Sequence, residues 1–372
     1  MEKIGWKQFV GQNRIKEVLE AAFFNQTMGH AYLFCGDMGT GKFAAAFEFA
    51  MAVHCESTQV KPCYECDSCR KMLHYSHPDF HVIMPVSLQK EHRSDSKLTE
   101  QGWKYISECV NERISEPYLP RMHNGIPNIP VDWVREVNHA IHRGALKGGR
   151  NVAILDGIEM MSKESANAML KTLEEPRAGT LMILISQRLH TVLPTIISRC
   201  QILRFSCLSP DQISSELVSR YGIAADDERL REVVNTGSLG QSIYLWENPD
   251  EEVSRVANEF WALCVKNDWI DIAKKIDQIA LLNNYSSYEK LFIQIMNLIR
   301  NSFFDRIVDT ENYIMGICSP KVASDKVRSV DQLEQLLGLC EQAIKRIRSR
   351  AAISLVLVDF AISVMEKLNG KK

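Results

Sequence analysis

Short apolar runs alternate with helical patterns over the first half of the chain. Four runs have the length of buried strands and are bounded by turns or polar residues: residues 30–35, 80–84, 151–155 and 180–185. Apolar residues recur at helical spacing in residues 15–24 and 42–54. Because continuously apolar strands need cover on both sides, this alternation predicts a parallel sheet with helices on both faces.

The second half of the chain is different. From residue 206 onward the strand signal disappears and helix follows helix, with weak breaks at residues 235–237, 248–250 and 319–320. Segment 85–130 is polar and rich in Pro, Gly and His. We therefore predict a long irregular insertion between two strands, of the kind that forms a functional lid or a mobile loop.

Composition narrows the class of protein. The 372 residues carry 44 basic and 46 acidic side chains, a net charge of −2 that argues against a basic nucleic-acid coat but permits a local basic face. Residues 1–10 contain no apolar run, and the stretch 351–365 is interrupted by Asp359 and is too short for a membrane span. We predict a soluble, cytoplasmic protein, in which 11 cysteines do not form a disulfide framework.

A glycine-rich loop follows the first predicted strand. Residues 36–42 fit GxxxxGK and precede a predicted helix, so they predict a phosphate-binding loop. The candidate nucleotide-binding residues in it are Gly36, Gly39, Thr40, Gly41 and Lys42. The next position normally carries a Ser or Thr that binds Mg²⁺, and here it is Phe43.

A second phosphate-site motif ends the third predicted strand. Asp156 is placed to hold Mg²⁺ through water, but Gly157 follows it where ring-forming ATPases carry a water-polarising Glu. Glu159 is a weak substitute, since a shift of two positions moves a carboxylate by several Å, and displacements of about 1 Å already cost large factors in rate. The two losses argue against ATP hydrolysis at this site. Binding of ATP or ADP is still possible, and we expect it to be weak or absent.

Four cysteines cluster within fifteen residues: Cys55, Cys63, Cys66 and Cys69. Four thiolates with CxxC spacing suit a closed, structural zinc site. An iron–sulfur cluster fits less well, because residues 72–74 supply neither the further Cys nor the Pro of the bacterial ferredoxin pattern. Free thiols are the remaining alternative.

Several motifs follow one another along the chain: Val10-Gly11-Gln12, His30-Ala31-Tyr32, the glycine-rich loop, the cysteines, Asp156, LKTLEEP at residues 170–176 and SRC at 198–200. Their order, and LKTLEEP and SRC most specifically, resembles bacterial sliding-clamp-loader subunits of the AAA+ class over about the first 245 residues. The resemblance implies an AAA+ P-loop domain over residues 1–205 with a zinc-binding excursion at 55–69, a helical lid domain over 206–247 and an all-α collar domain over 248–372. The first cysteine gap is one residue shorter than usual, which keeps His54 and His74 as alternatives to Cys55.

The resemblance also implies roles. Arg199 would be an arginine finger that acts in trans on ATP held by a neighbouring subunit. Motor subunits of the gamma or tau type carry a sensor arginine where this chain has Gly240. With three motor groups missing and SRC kept, the chain resembles the delta-prime type, which does not hydrolyse ATP itself.

The resemblance implies gamma/tau and delta subunits as partners in a hetero-oligomer, with the sliding clamp and primer-template DNA contacted through the assembly. Two alternatives stay open: an ATP-hydrolysing gamma/tau-type motor, and a stand-alone zinc-bearing nucleic-acid-binding protein. A short basic run in the last helical domain consists of Lys345, Arg346, Arg348 and Arg350. We interpret it as a solvated helix face, with contact to DNA or to an acidic neighbour as the alternative.

Overall fold

The computed structural model describes residues 4–94, 97–119, 127–146, 149–281, 285–308 and 329–369. Residues 95–96 and 120–126 of the predicted insertion lie outside the described residues, as do 282–284, 309–328 and 370–372 of the predicted collar. The predicted helix break at 319–320 is among them.

A five-stranded parallel sheet organises the first part of the chain. Its strands are β1 Ala31–Cys35, β2 Phe80–Ile83, β5 Asn151–Asp156, β6 Thr180–Ser186 and β7 Gln201–Arg204; a short antiparallel pair, β3 Arg93–Ser94 and β4 Lys97–Leu98, lies apart from it. The order of strands in the sheet is β2-β5-β6-β1-β7. Every residue of β1 and of β6 is buried, so both faces of the sheet are covered. The predicted α/β fold class is confirmed.

Helices cover both faces of this sheet and are the regular elements described after it. In the first part they are α1 Asn13–Phe24, α2 Lys42–His54, α3 Asp67–Leu73, α4 Glu100–Ser115, α5 Val131–Arg143, α6 Lys163–Glu174, α7 Pro194–Ile197 and α8 Pro210–Tyr221. They continue with α9 Glu228–Val233, α10 Leu239–Glu247, α11 Glu251–Lys266, α12 Trp269–Ala280, α13 Tyr285–Val308, α14 Val330–Arg348 and α15 Ile353–Asn369. After residue 205 the part of the chain that the structure describes contains helices and no strand, as predicted.

The chain packs as two compact units. The first comprises residues 1–225 and 237–244, and the second comprises residues 226–236 and 245–372. Each has its own apolar core, built around Phe34 and Phe47 in the first and around Phe260 and Phe292 in the second. The division at residues 205 and 247 stays a prediction.

The expectation of an irregular insertion at 85–130 is wrong for part of its length. Residues 100–115 form α4, begun by Thr99, whose side chain accepts the Gly102 N–H. Ile106, Val110 and Ile114 recur at helical spacing and are buried in the core of the first unit. This periodicity is visible in the sequence, where the surrounding polar residues and prolines obscured it.

Candidate functional site

The glycine-rich loop lies between β1 and α2, as the sequence predicts. Gly39 and Gly41 have φ angles of 75° and 94°, which strongly favour glycine. Thr40 is buried and donates its hydroxyl to the Asp37 carbonyl. Gly41 precedes α2, so the amino terminus of that helix points into the loop as in phosphate-binding sites.

Lys42 finds its partners within the loop itself. Its ammonium donates to the carbonyl oxygens of Gly36 at 2.6 Å and Asp37 at 2.5 Å. Burial lowers the pKa of Lys42 to about 8, opposed by the negative charges of Asp156 and Asp37. The group that would otherwise reach the β- and γ-phosphates is held by backbone oxygens.

Asp156, at the end of β5, has an arginine as its partner. Arg113 Nε lies 3.0 Å from Asp156 Oδ2, and both side chains are less than one fifth exposed. The Arg113 guanidinium carbon also lies 4.4 Å from the centre of the Phe43 ring. Arg113 therefore bridges two of the positions that hold Mg²⁺ in hydrolysing P-loop proteins.

The positions around Asp156 supply no water-polarising acid. Gly157 has a φ of 68°, and a β-carbon there would come within 2.9 Å of Pro85. Glu159 Oε1 accepts the Gln187 N–H at 3.2 Å, and burial raises the pKa of this carboxyl. Glu159 is thus tied to the loop after β6.

Sequence reasoning missed Arg113 and Tyr118. The Tyr118 hydroxyl accepts the Val10 N–H at 2.8 Å and donates to the Gln8 carbonyl at 3.0 Å. A β-carbon at Gly41 would lie 3.0 Å from the Tyr118 ring, and one at Gly240 only 2.0 Å from the Tyr118 carbonyl oxygen. No local motif marks these contacts, since they join residues that are far apart along the chain.

Arg199 follows α7 at the surface of the first unit. Its guanidinium donates to the Thr195 carbonyl at 2.8 Å and pairs with Glu174 at 3.0 Å. The side chain keeps 34% of its exposure and Glu174 keeps 48%. A surface pair of this kind contributes about 0–1 kcal/mol, so the guanidinium is available to another acceptor at small cost.

The four predicted cysteines come together. Their Sγ atoms all lie within 4.8 Å of one another, and those of Cys63 and Cys69 are 4.0 Å apart. Sulfurs around a tetrahedral Zn²⁺ are roughly 3.8 Å apart, given Zn–S bonds of about 2.3 Å. Among the described residues, neither His54 nor His74 belongs to such a group, so Cys55 completes the set.

The donor chemistry of this cluster also suits a metal. The Sγ atoms of Cys55, Cys63 and Cys66 each accept a backbone N–H at 3.3–3.4 Å. Burial raises the pKa values of Cys55 and Cys69. For Cys63, burial is outweighed by the N–H groups of Glu65 and Cys66 together with side-chain hydrogen bonds to Cys55 and Cys66, and its pKa is lowered to about 6. The four residues therefore fit a closed zinc site, in which the ion would cross-link the excursion and supply no open position.

The basic run in α14 has an intramolecular partner. Arg346 pairs with Asp359 of α15 inside the second unit. This contact supports the solvated-face interpretation for Arg346.

Comparison with known sequences decides the family. The profile of the family described as "DNA polymerase III, delta subunit" matches residues 11–209, more than half of the chain. The chain belongs to this family. The matched region contains the glycine-rich loop, the cysteine cluster and Arg199. Together with the relatives named next, this match confirms the resemblance to DNA polymerase III delta' subunits.

Individual relatives agree with this assignment. The chain is 28% identical to the DNA polymerase III subunit delta' of Bacillus subtilis over 58% of its length and 54% of that protein. It is 27% identical to the delta' subunit of Haemophilus influenzae over 69% and 68% of the two chains. It is also 32% identical to the Bacillus subtilis subunit tau over 63% of this chain and 34% of that protein. The chain thus spans about half the length of the first relative.

None of the described helices is both long and apolar enough to cross a membrane.

Proposed function

We propose that this member of the family is a non-hydrolysing, delta-prime-like subunit of a bacterial DNA polymerase III clamp loader. In this role it completes the ATPase site of a neighbouring subunit and has no ATP cycle of its own. Its partners are gamma/tau and delta subunits in a cytoplasmic hetero-oligomer, and it acts on the sliding clamp and primer-template DNA through that assembly.

One observation carries the proposal. Arg199 is partly exposed, with exposed Glu174 as its ion-pair partner and hydrogen bonds to oxygens of Thr195 and Ser198. Lys42 and Asp156 are instead mostly buried against their own partners. A guanidinium donated across a subunit boundary stabilises charge on the transferring phosphoryl group. In the proposed role, the Arg199 guanidinium therefore serves the ATP site of the neighbouring subunit and not a site in its own chain.

The missing groups support the non-hydrolysing assignment. Phe43 offers no metal ligand, Gly157 offers no carboxylate, and Gly240 offers no guanidinium. Because each change removes a different element of phosphoryl transfer, one compensating residue cannot restore turnover. A gamma/tau-type motor would need all three changes to be tolerated.

We further propose that Cys55, Cys63, Cys66 and Cys69 hold a structural Zn²⁺. The N–H groups that face three of the sulfurs favour thiolates, and the spacing of the sulfurs suits tetrahedral coordination. The ion stabilises the excursion between α2 and α3 and takes no part in catalysis.

Assembly tests the proposal directly. The chain, mixed with gamma/tau and delta subunits from the same bacterium, is expected to elute as one complex on size-exclusion chromatography with light scattering. The isolated chain is expected to show no ATP turnover and no tight, salt-dependent DNA binding. Turnover at the rate of a motor subunit would favour the gamma/tau alternative, and tight DNA binding by the monomer would favour the stand-alone DNA-binding alternative.

A further inference from the structure

We propose that the nucleotide site of this chain is permanently filled by its own insertion. Residues 113–119, here called the occupying segment, take the places of the metal ion and of the nucleotide. The site therefore accepts a piece of the same polypeptide and neither ATP nor ADP. This inference goes beyond the proposed function, because it does not depend on Arg199 or on any partner.

Arg113 replaces the metal ion. In a hydrolysing P-loop site, Mg²⁺ lies between the residue after the lysine and the acid that ends the second motif's strand. Here those residues are Phe43 and Asp156, and the Arg113 guanidinium contacts both, the ring by its face and the carboxylate by an ion pair at 3.0 Å. A cation tethered to the chain thus neutralises Asp156, and the Phe43 ring, which cannot bind Mg²⁺, stacks well on a guanidinium.

Tyr118 closes the loop. It is 3% exposed, its ring lies against Gly41 at the amino terminus of α2, and its hydroxyl bonds the backbone of Gln8 and Val10. The amino terminus of this helix is where a phosphate binds in P-loop proteins. The side chain therefore joins the segment before α1 to the helix terminus and fills the space between them.

The same guanidinium holds the turn that carries Tyr118. Arg113 Nη1 donates to the carbonyl oxygens of Pro117 at 2.9 Å and Leu119 at 3.1 Å. Arg113 is thus bound on one side to Asp156 and on the other to the tyrosine turn. Because α4 is anchored in the core by its apolar residues, the segment is a folded part of the first unit.

Each of the three positions that lost a motor residue meets the insertion. Phe43 stacks on Arg113, a side chain at Gly157 would meet Pro85 within 2.9 Å, and one at Gly240 would meet the Tyr118 carbonyl oxygen at 2.0 Å. A Glu at 157 or an Arg at 240 would therefore clash with the insertion. The three losses and the insertion form one arrangement, in which the chain exchanges a nucleotide for a built-in structural element.

Nucleotide binding and hydrogen exchange test this inference on the full chain. The wild-type protein should show no saturable binding of a fluorescent ATP analogue with Mg²⁺ up to about 1 mM. The variant Arg113→Ala/Tyr118→Ala should raise amide exchange in residues 38–43 by about tenfold or more, because the loop loses its cover. Arg93→Ala, which removes an exposed arginine of the same insertion, should match the wild type.

Two results would overturn the inference: micromolar binding of MgATP by the wild type, or unchanged exchange of the loop in the double variant. Neither result would bear on whether the chain assembles with motor subunits.

A pair of glycine variants keeps the test valid if the double variant fails to fold. Gly→Ala within a helix ordinarily stabilises it. Gly338→Ala in α14, where a β-carbon meets nothing within 4 Å, should keep or raise the Tm. Gly240→Ala in α10 should lower the Tm and raise exchange in residues 113–119, because the methyl group collides with Tyr118. A higher Tm for Gly240→Ala would contradict the proposed occupancy.

Discussion

The charged groups of the glycine-rich loop and the charged group of Arg199, in the same unit, have opposite environments. At the loop, Lys42 and Asp156 are mostly buried and satisfied by their own chain. The side chain of Arg199, by contrast, is about one third exposed, and its ion-pair partner is the exposed carboxylate of Glu174. Under the proposed function, the loop has become structural while Arg199 contributes its charge to a neighbouring subunit.

Replacing Arg199 should have the largest effect, on the ATPase rate of the assembly. In a reconstituted assembly, Arg199→Ala should lower the steady-state ATPase rate by about 10³-fold, because the neighbour's transition state loses a fixed positive charge. The Tm of the isolated chain should change little, since the surface pair with Glu174 contributes at most about 1 kcal/mol. The matched control is Arg135→Ala, which breaks an exposed pair with Glu164 and should leave the rate unaltered. An assembly that keeps its full rate with Arg199→Ala would remove this residue from the mechanism.

Removing a cysteine ligand should have the next largest effect. Metal analysis should find one zinc per wild-type chain, and Cys69→Ser should lose it. Because Cys69 is fully buried and the proposed ion cross-links the excursion, the free energy of unfolding should fall by about 4 kcal/mol. Cys207→Ser, which changes an exposed cysteine outside the cluster, should retain the zinc. A zinc-free wild type of unchanged stability would contradict the metal assignment.

Restoring two of the lost motor residues should neither stabilise the chain nor give it ATPase activity. Phe43→Thr/Gly157→Glu should cost about 3 kcal/mol, because it empties a buried ring position and places a side chain at a positive φ against Pro85. The isolated variant should show no ATP turnover, as Arg113 still holds Asp156. Phe43→Leu, which keeps an apolar side chain, should cost less. Turnover approaching that of a motor subunit would mean that the loop is only two residues from activity.

The smallest effect is expected from removing Glu174, the ion-pair partner of Arg199. Glu174→Ala leaves Arg199 with the Thr195 carbonyl and the Ser198 hydroxyl, so the Tm should shift by an amount equivalent to less than about 1 kcal/mol. The assembly's ATPase should change by no more than about threefold. Glu174→Gln serves as the control that keeps a hydrogen-bond acceptor. A loss as large as that of Arg199→Ala would show that Glu174 is part of the neighbour's site.

The sequence predicts the elements whose signals are local. The helix over 42–54 matches α2 at both ends, and the four strands of residues 30–35, 80–84, 151–155 and 180–185 match within one residue. The sequence also predicts the glycine-rich loop and the cysteine cluster, because the residues of each lie close together along the chain. β7 was missed because four residues with one buried side chain carry almost no periodicity.

The occupying segment was beyond sequence reasoning. Arg113 meets Asp156 across 43 positions, and Tyr118 meets Val10 across 108. The losses at 43, 157 and 240 were readable one by one, but only the folded chain shows that the insertion meets all three. The periodicity of α4 could have indicated an ordered insertion, though not which site it fills.

The most direct test compares Lys42→Ala with Arg199→Ala in the same reconstituted assembly, after chromatography has confirmed that each variant is incorporated. The account predicts that ATP turnover with Lys42→Ala stays within about twofold of wild type, because no nucleotide occupies that loop, while turnover with Arg199→Ala collapses. A comparable collapse with Lys42→Ala would contradict the account, because it would mean that this chain's own loop takes part in the ATP cycle.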